Sequence, residues 1–166
     1  MKKIHLFWII PLLLVFTLFF VRLFGHIELD DVTPGIPCKY SLIQKADVLW
    51  VVPNFENNSI EKNQSWCTKL LSLNKTLGMH GIKHLYWEFG ENISKEELKL
   101  GKEEFYDCFG TLPEMFKPPQ LKISSKNKEL IKSSNMKLKL GFNQFTHKVY
   151  HCNDSDFIKN RWIEIF

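Results

Sequence analysis

The sequence predicts an α/β domain built on a parallel sheet, preceded by one N-terminal hydrophobic helix. Three observations carry this. Residues 4–25, IHLFWIIPLLLVFTLFFVRLFG, hold no charge between Lys3 and Arg22. Residues 47–53, DVLWVVP, form a near-continuous apolar run rich in β-branched residues, as expected of a strand buried on both faces. Helical and strand patterns then alternate along the remaining chain, which favours a parallel α/β arrangement over a bundle or a sandwich.

In chain order, the first apolar run is long enough to cross a hydrocarbon core, which takes about 20 helical residues. It exceeds the apolar segment of an ordinary signal peptide and has no small-x-small cleavage site behind it. Lys2 and Lys3 precede it, and Glu28, Asp30 and Asp31 follow Arg22. The positive-inside rule therefore places the N-terminus in the cytoplasm and the domain outside the membrane. Residues 1–25 are read as the anchor and 26–166 as the domain.

HIELDDV, residues 26–32, alternates like a short strand and runs into the turn signal Pro34-Gly35. After the 47–53 strand and a polar stretch at 54–64, a helical pattern runs through Trp66, Leu70, Leu71 and Leu73 and is expected to stop near Gly78. The clearest helix spans 94–110. Ser94 and Glu97 make a capping box, Gly110 is placed as a C-cap, and Leu98, Phe105, Cys108 and Phe109 form the buried side. EMFKPP (114–119) reads as a short strand, SSKNKELIKSS (124–134) as a Ser-capped helix, and MKLKLGF (136–142) and HKVYH (147–151) as late strands.

The 166 residues, 45% of them hydrophobic, suit one compact domain. The net charge of +4 is mild and the lysines are scattered, so nucleic acid is not indicated. Asn57, Asn63, Asn74, Asn92 and Asn153 begin N-x-S/T triplets, which fits an exported domain. Cys38, Cys67, Cys108 and Cys152 have no C-x-x-C spacing, and three disulfide pairings are open to them.

Ligands of parallel α/β folds gather at the carboxyl ends of strands. The polar residues expected there are Asp30 and Asp31, His80, Lys117 to Pro119, and His151. If the chain turns into a helix after Gly81, His80 and His84 share a face and can meet on one cation. His147 and His151 have the same spacing but lie in a strand pattern, where four residues span about 13 Å. Neighbouring carboxylates beside a cation can divide labour, one ligating and the other taking a proton.

ELDDV, HGIKH, FKPPQL and VYHCND, in this order and at these intervals, resemble the polysaccharide deacetylase superfamily. The resemblance is to a branch with Asp-Asp-Val, His-Gly-x-x-His and Phe-x-Pro-Pro motifs, and covers residues 26–156. It implies a compact or incomplete distorted (β/α) barrel and a metal-dependent hydrolase removing N-acetyl groups from a carbohydrate, such as cell-surface glycan. Asp30 would be the general base, Asp31, His80 and His84 the ligands of a divalent ion, zinc by preference, and His151 the acid that protonates the leaving amine. Pro119 would fall in the groove-forming motif. Trp87, beside Tyr86 and Phe89, would offer an aromatic face to a sugar, with core packing taking at least two of these three rings. Lys117 stands where the superfamily carries an arginine that orients the base, and no carboxylate motif is evident between residues 137 and 150. These departures motivate the alternative, a catalytically degenerate carbohydrate-binding or interaction module.

Overall fold

The structure, a computed structural model, describes residues 3–140 and 147–153, with side chains from Trp8 onward. Helix α1 (Lys3–Phe24) leads into strand β1 (Ile27–Val32), helix α2 (Tyr40–Lys45) and strand β2 (Val48–Val51). The polar stretch that follows is a small hairpin, β3 (Asn54–Phe55) and β4 (Asn58–Ser59), and a 3₁₀ turn. Then come α3 (Gln64–Leu71), β5 (Thr76–His80), α4 (Lys95–Phe109), β6 (Met115–Lys117), α5 (Ser125–Ser133), β7 (Lys137–Leu138) and β8 (Lys148–His151).

Six strands form one sheet in the order β7-β6-β5-β2-β1-β8, every neighbouring pair parallel. Successive crossovers step away from β1 on one side, and β8 returns to its other side. Among the described residues the sheet is open, with β7 and β8 at its edges. The α/β class with a parallel sheet is as expected. The core holds Leu29, Leu49 and Val51 from the central strands with Met79 and Phe116 beyond them, and Phe105 from α4 packs against it, all essentially inaccessible to water. All four residues of β2 are buried, the reason its sequence does not alternate.

Helix α4 follows its sequence closely. Ser94 Oγ accepts from the Glu97 amide, Glu97 Oε2 accepts from the Ser94 amide, and Gly110 closes the helix in the left-handed region at φ 71°. The buried side includes Gly101 as well as the four expected residues, because a Cβ there would come within 2.8 Å of Met79 Cε. Helix α3 departs from expectation. It ends at Leu71, not near Gly78, and Gly78 lies inside β5 where any side chain would collide with the buried Trp50 ring. The glycine marks a close strand approach and no helix stop.

The cysteines pair as Cys38–Cys152 and Cys67–Cys108. The first ties the loop after β1 to the residue after β8. The second ties α3 to α4. Of the late stretch 136–142, only Lys137–Leu138 form a strand, while Gly141 and Phe142 lie outside the described residues, as does Asp154 of the last motif. Among the described residues, which include the side chains of α1 only from Trp8 onward, no helix is long and apolar enough to cross a membrane. In α1 the apolar side chains from Trp8 to Phe24 are largely exposed on every side.

Candidate metal centre and cleft

The register of the sheet assembles the site. Asp30 pairs with His151 across β1 and β8, and His80 pairs with Lys117 across β5 and β6. Four strands thus deliver polar side chains to one end, the carboxyl end of a parallel sheet.

Adjacent residues of a regular strand point to opposite faces, which would separate Asp30 from Asp31. The β1–β2 ladder shows why they are not separated. Leu29 pairs with Leu49 but Val32 with Val51, so β1 carries one extra residue, a β-bulge. Asp31 occupies it at φ 62°, and both carboxylates reach the same cleft. That cleft, about 310 Å³, is lined by Asp30, Asp31, His80, His84, Lys117 and His151, with Pro118, Gln120 and Leu121 on its rim. Asp31, His84, Gln120 and Leu121 all have positive φ without being glycine, and such conformations persist only where surrounding structure enforces them.

His80 and His84 converge without a helix after Gly81. Residues 81–90 form turns, and His84 sits at φ 61°. The loop is folded around Glu88, whose buried carboxylate accepts from the amides of Ile82 (3.0 Å) and Lys83 (2.6 Å). Burial raises the Glu88 pKa, and those two amide bonds offset only part of it. Gly81, at φ 66°, is packed between Glu88 and Pro119, and a Cβ would overlap both. The result brings the two imidazole centroids to 5.0 Å.

Oδ1 of Asp31 lies 2.9 Å from His84 Nε2 and 3.4 Å from His80 Nε2, and the three ligand atoms lie within 4.8 Å of one another. These approaches lack hydrogen-bond geometry, and Oδ1 is a buried oxygen with no hydrogen-bond partner among the described residues. His80 Nδ1 is 2.9 Å from the Lys117 carbonyl, which can only accept, so Nδ1 carries the proton and Nε2 offers its lone pair to the site. Burial opposes the charge on Asp31, yet the contacts and attraction of the two imidazoles hold its pKa far below the usual carboxylate range. Burial likewise works against a charged His84, and Asp31 outweighs it to raise the pKa. Two imidazoles and an orphaned carboxylate oxygen in an anionic field are a donor set that fits a divalent cation.

Asp30 is buried beside them. Its Oδ1 accepts from Lys117 Nζ at 2.8 Å, while Oδ2 stands 3.7 Å from His151 Nε2 and 4.0 Å from His80 Nε2. Lys117 is itself fully buried and donates a second bond, 3.0 Å, to Glu28 Oε2, which also accepts from the Trp50 indole at 2.8 Å. Coulombic attraction and hydrogen bonds from Lys117, with those of His26 and Trp50, overcome burial and lower the Glu28 pKa. Sequence reasoning singled out neither Glu28 nor Glu88 for a role. The polar alternation of His26, Glu28 and Asp30 was the available signal for the first.

Asp30, Asp31, His80, His84 and His151 are thus brought together. Pro119 is not on the cleft surface: it is buried behind it, against Gly81, and Pro118 takes the rim. Of the three aromatic residues after His84, only Phe89 enters the core, where at least two were expected. Tyr86 is 82% and Trp87 46% exposed, lining a neighbouring hollow with Leu85 and Asn92. The Trp87 amide donates to Gln120 Oε1, linking this hollow to the cleft rim.

No protein-family model matches the sequence, and no curated protein matches it. Solved structures do match. A family 4 carbohydrate esterase from Streptomyces lividans, in complex with acetate, aligns over 77% of this chain and 78% of its own at 8% identity, with a TM-score of 0.54. A polysaccharide deacetylase from Bacillus cereus aligns over 78% of each chain at 12% identity and TM-score 0.52. The fold is that of the polysaccharide deacetylases. A family 4 pseudoenzyme from Bacillus anthracis shares it too, at 10% identity and TM-score 0.51, the match covering 65% of this chain and 45% of that protein.

Proposed function

We propose that this chain is a metal-dependent hydrolase that removes N-acetyl groups from a carbohydrate, with cell-surface glycan as the substrate class. The observation that carries the reading is the convergence of Asp31, His80 and His84 in a cleft over which Asp30 and His151 stand from paired strands. The deacetylase fold supports it.

A divalent ion held by Asp31, His80 and His84, zinc being best matched to this donor set, would polarise the acyl carbonyl and acidify water. Asp30, fixed through Oδ1 by Lys117, uses Oδ2 to take a proton from the attacking water. His151 gives a proton to the sugar nitrogen as the C–N bond breaks, leaving a free amine and a carboxylate. Gln120 and Leu121 border the cleft, and the exposed Trp87 ring offers an apolar face to a sugar. Pro119 acts from behind, holding the turn at Gly81.

The domain, residues 26–166, is held at the membrane by residues 1–25 with the N-terminus in the cytoplasm. The exposed apolar side chains of α1 support an anchor, and two disulfides support an oxidising compartment outside the cytoplasm.

The test is metal content of the full-length protein in detergent, wild type beside His80→Ala, with acetate release from N-acetylated oligosaccharides. One ion fewer and no acetate in the variant is expected. Unchanged metal content in His80→Ala sinks the assignment. A second reading, a non-catalytic carbohydrate-binding module, is favoured by one observation: Asp30 is engaged by a lysine that must also serve Glu28, where a planar arginine fork would hold the base bidentately. Equal sugar binding by wild type, Asp30→Asn and His151→Ala, with no turnover in any, would establish that reading.

A further inference from the structure

A second group of ligating side chains lies at the opposite end of β1. His26 immediately precedes the strand, Glu28 lies on it, and His147 immediately precedes β8. Ile27 pairs with Lys148, so His26 and His147 stand across the same parallel ladder, one step before its first pair. His26 and Glu28 share a face by strand alternation. Their ligand atoms and that of His147 lie within 4.8 Å of one another, with His26 Nε2 2.9 Å from Glu28 Oε1 and the two imidazole centroids 3.8 Å apart.

Two features go beyond proximity. Nδ1 of His147 is buried and has no hydrogen-bond partner among the described residues. Glu28 is polarised in one direction: Oε2 receives both Lys117 Nζ and the Trp50 indole, and Oε1 is hydrogen-bonded to His26 Nε2. Two imidazole rings packed this closely, against a carboxylate whose other oxygen is already saturated by donors, suit a shared cation better than three separate side chains. In tetrahedral zinc sites ligand atoms stand about 3.3 Å apart; here His26 Nε2 and Glu28 Oε1 are 2.9 Å apart and all three ligand atoms lie within 4.8 Å of one another.

We propose that His26, Glu28 and His147 form a second, structural site for a divalent transition-metal ion such as zinc, separate from the cleft. It fastens the start of the edge strand β8 to the start of β1, as Cys38–Cys152 fastens the far end. Both fasteners act on the strand that carries His151. Glu28 also couples the two ends of β1, because the lysine it shares is the one that holds Asp30.

The experiment uses the full-length chain in detergent, stripped with chelator, reloaded with zinc and dialysed, with bound zinc measured per chain. Wild type should hold two ions, His147→Ala and His26→Ala one each, His84→Ala one, and His84→Ala/His147→Ala none. Zinc should raise the unfolding temperature of His84→Ala and leave that of the double variant unmoved. The site is overturned if wild type holds a single ion that only His84→Ala removes, or if both His26→Ala and His147→Ala keep the wild-type count. Loss in His147→Ala with none in His84→Ala would overturn the cleft assignment and leave this one standing. His26 and His147 are both partly solvent-exposed, so their alanine variants are expected to fold, and circular dichroism checks this.

Discussion

His80 and His84, and His147 and His151, are the same four-residue spacing in two backbones. The first pair is bent through a glycine turn until the rings stand 5.0 Å apart on one carboxylate. The second brackets the extended strand β8, so its members serve opposite ends of β1, His151 near Asp30 and His147 near Glu28. Spacing fixes which residues can meet only once the rise per residue is known, and that rise is a property of the fold.

The sharpest way to break this contrast is to remove one histidine from each pair. His84→Ala should lose the cleft ion and bring acetate release to background, whereas His147→Ala should leave the cleft ion in place. Equal loss of activity and of cleft metal in both would show that the two pairs are not separate. Within the second pair, His151→Ala should reduce kcat by about 10²–10⁴-fold, the usual range for a positioned acid or base, with metal content unchanged. Asp30→Asn should behave alike. A drop in bound metal in either variant would place these side chains among the ligands.

Lys117→Met probes the link between the ends of β1. It leaves Glu28 and Asp30 as buried carboxylates without their shared cation, and breaking a buried pair in this way costs about 3–5 kcal/mol. Urea unfolding should show it, and a cost under about 1 kcal/mol would mean that Lys117 does not carry the pairing. Gly81→Ala tests the turn that separates the two histidine pairs. At φ 66° and against Glu88 and Pro119, alanine should destabilise by about 1–3 kcal/mol and weaken metal binding through His84. Unaltered metal affinity would show that the loop tolerates another path.

Much of this was legible in the chain. Capping chemistry defined α4 at both ends, because caps are local hydrogen bonds between residues three or four apart. The apolar run of β2 announced a strand covered on both faces. The polar residues at strand ends were identifiable for the same reason, since a parallel sheet exposes its carboxyl ends in a fixed direction. What misled was the meaning of particular residues: Gly78 read as a stop, and a helix after Gly81 taken as the condition for His80 and His84 to meet. Both depend on partners far away in sequence, Trp50 in one case and Pro119 in the other, with Glu88 completing the turn.

By itself, then, the sequence determined the periodicities, the caps, the order of the motifs and the set of side chains available for chemistry, all consequences of short-range geometry and polarity. Tertiary structure decided how they are used. The bulge at Asp31 exists only in relation to the register of β2, the buried charge of Lys117 only in relation to Glu28 and Asp30, and the disulfide pairing only in relation to which chain segments and helices the sheet brings together. A single strand carries no record of its neighbours' register, and it is the register that brings two adjacent aspartates into one cleft.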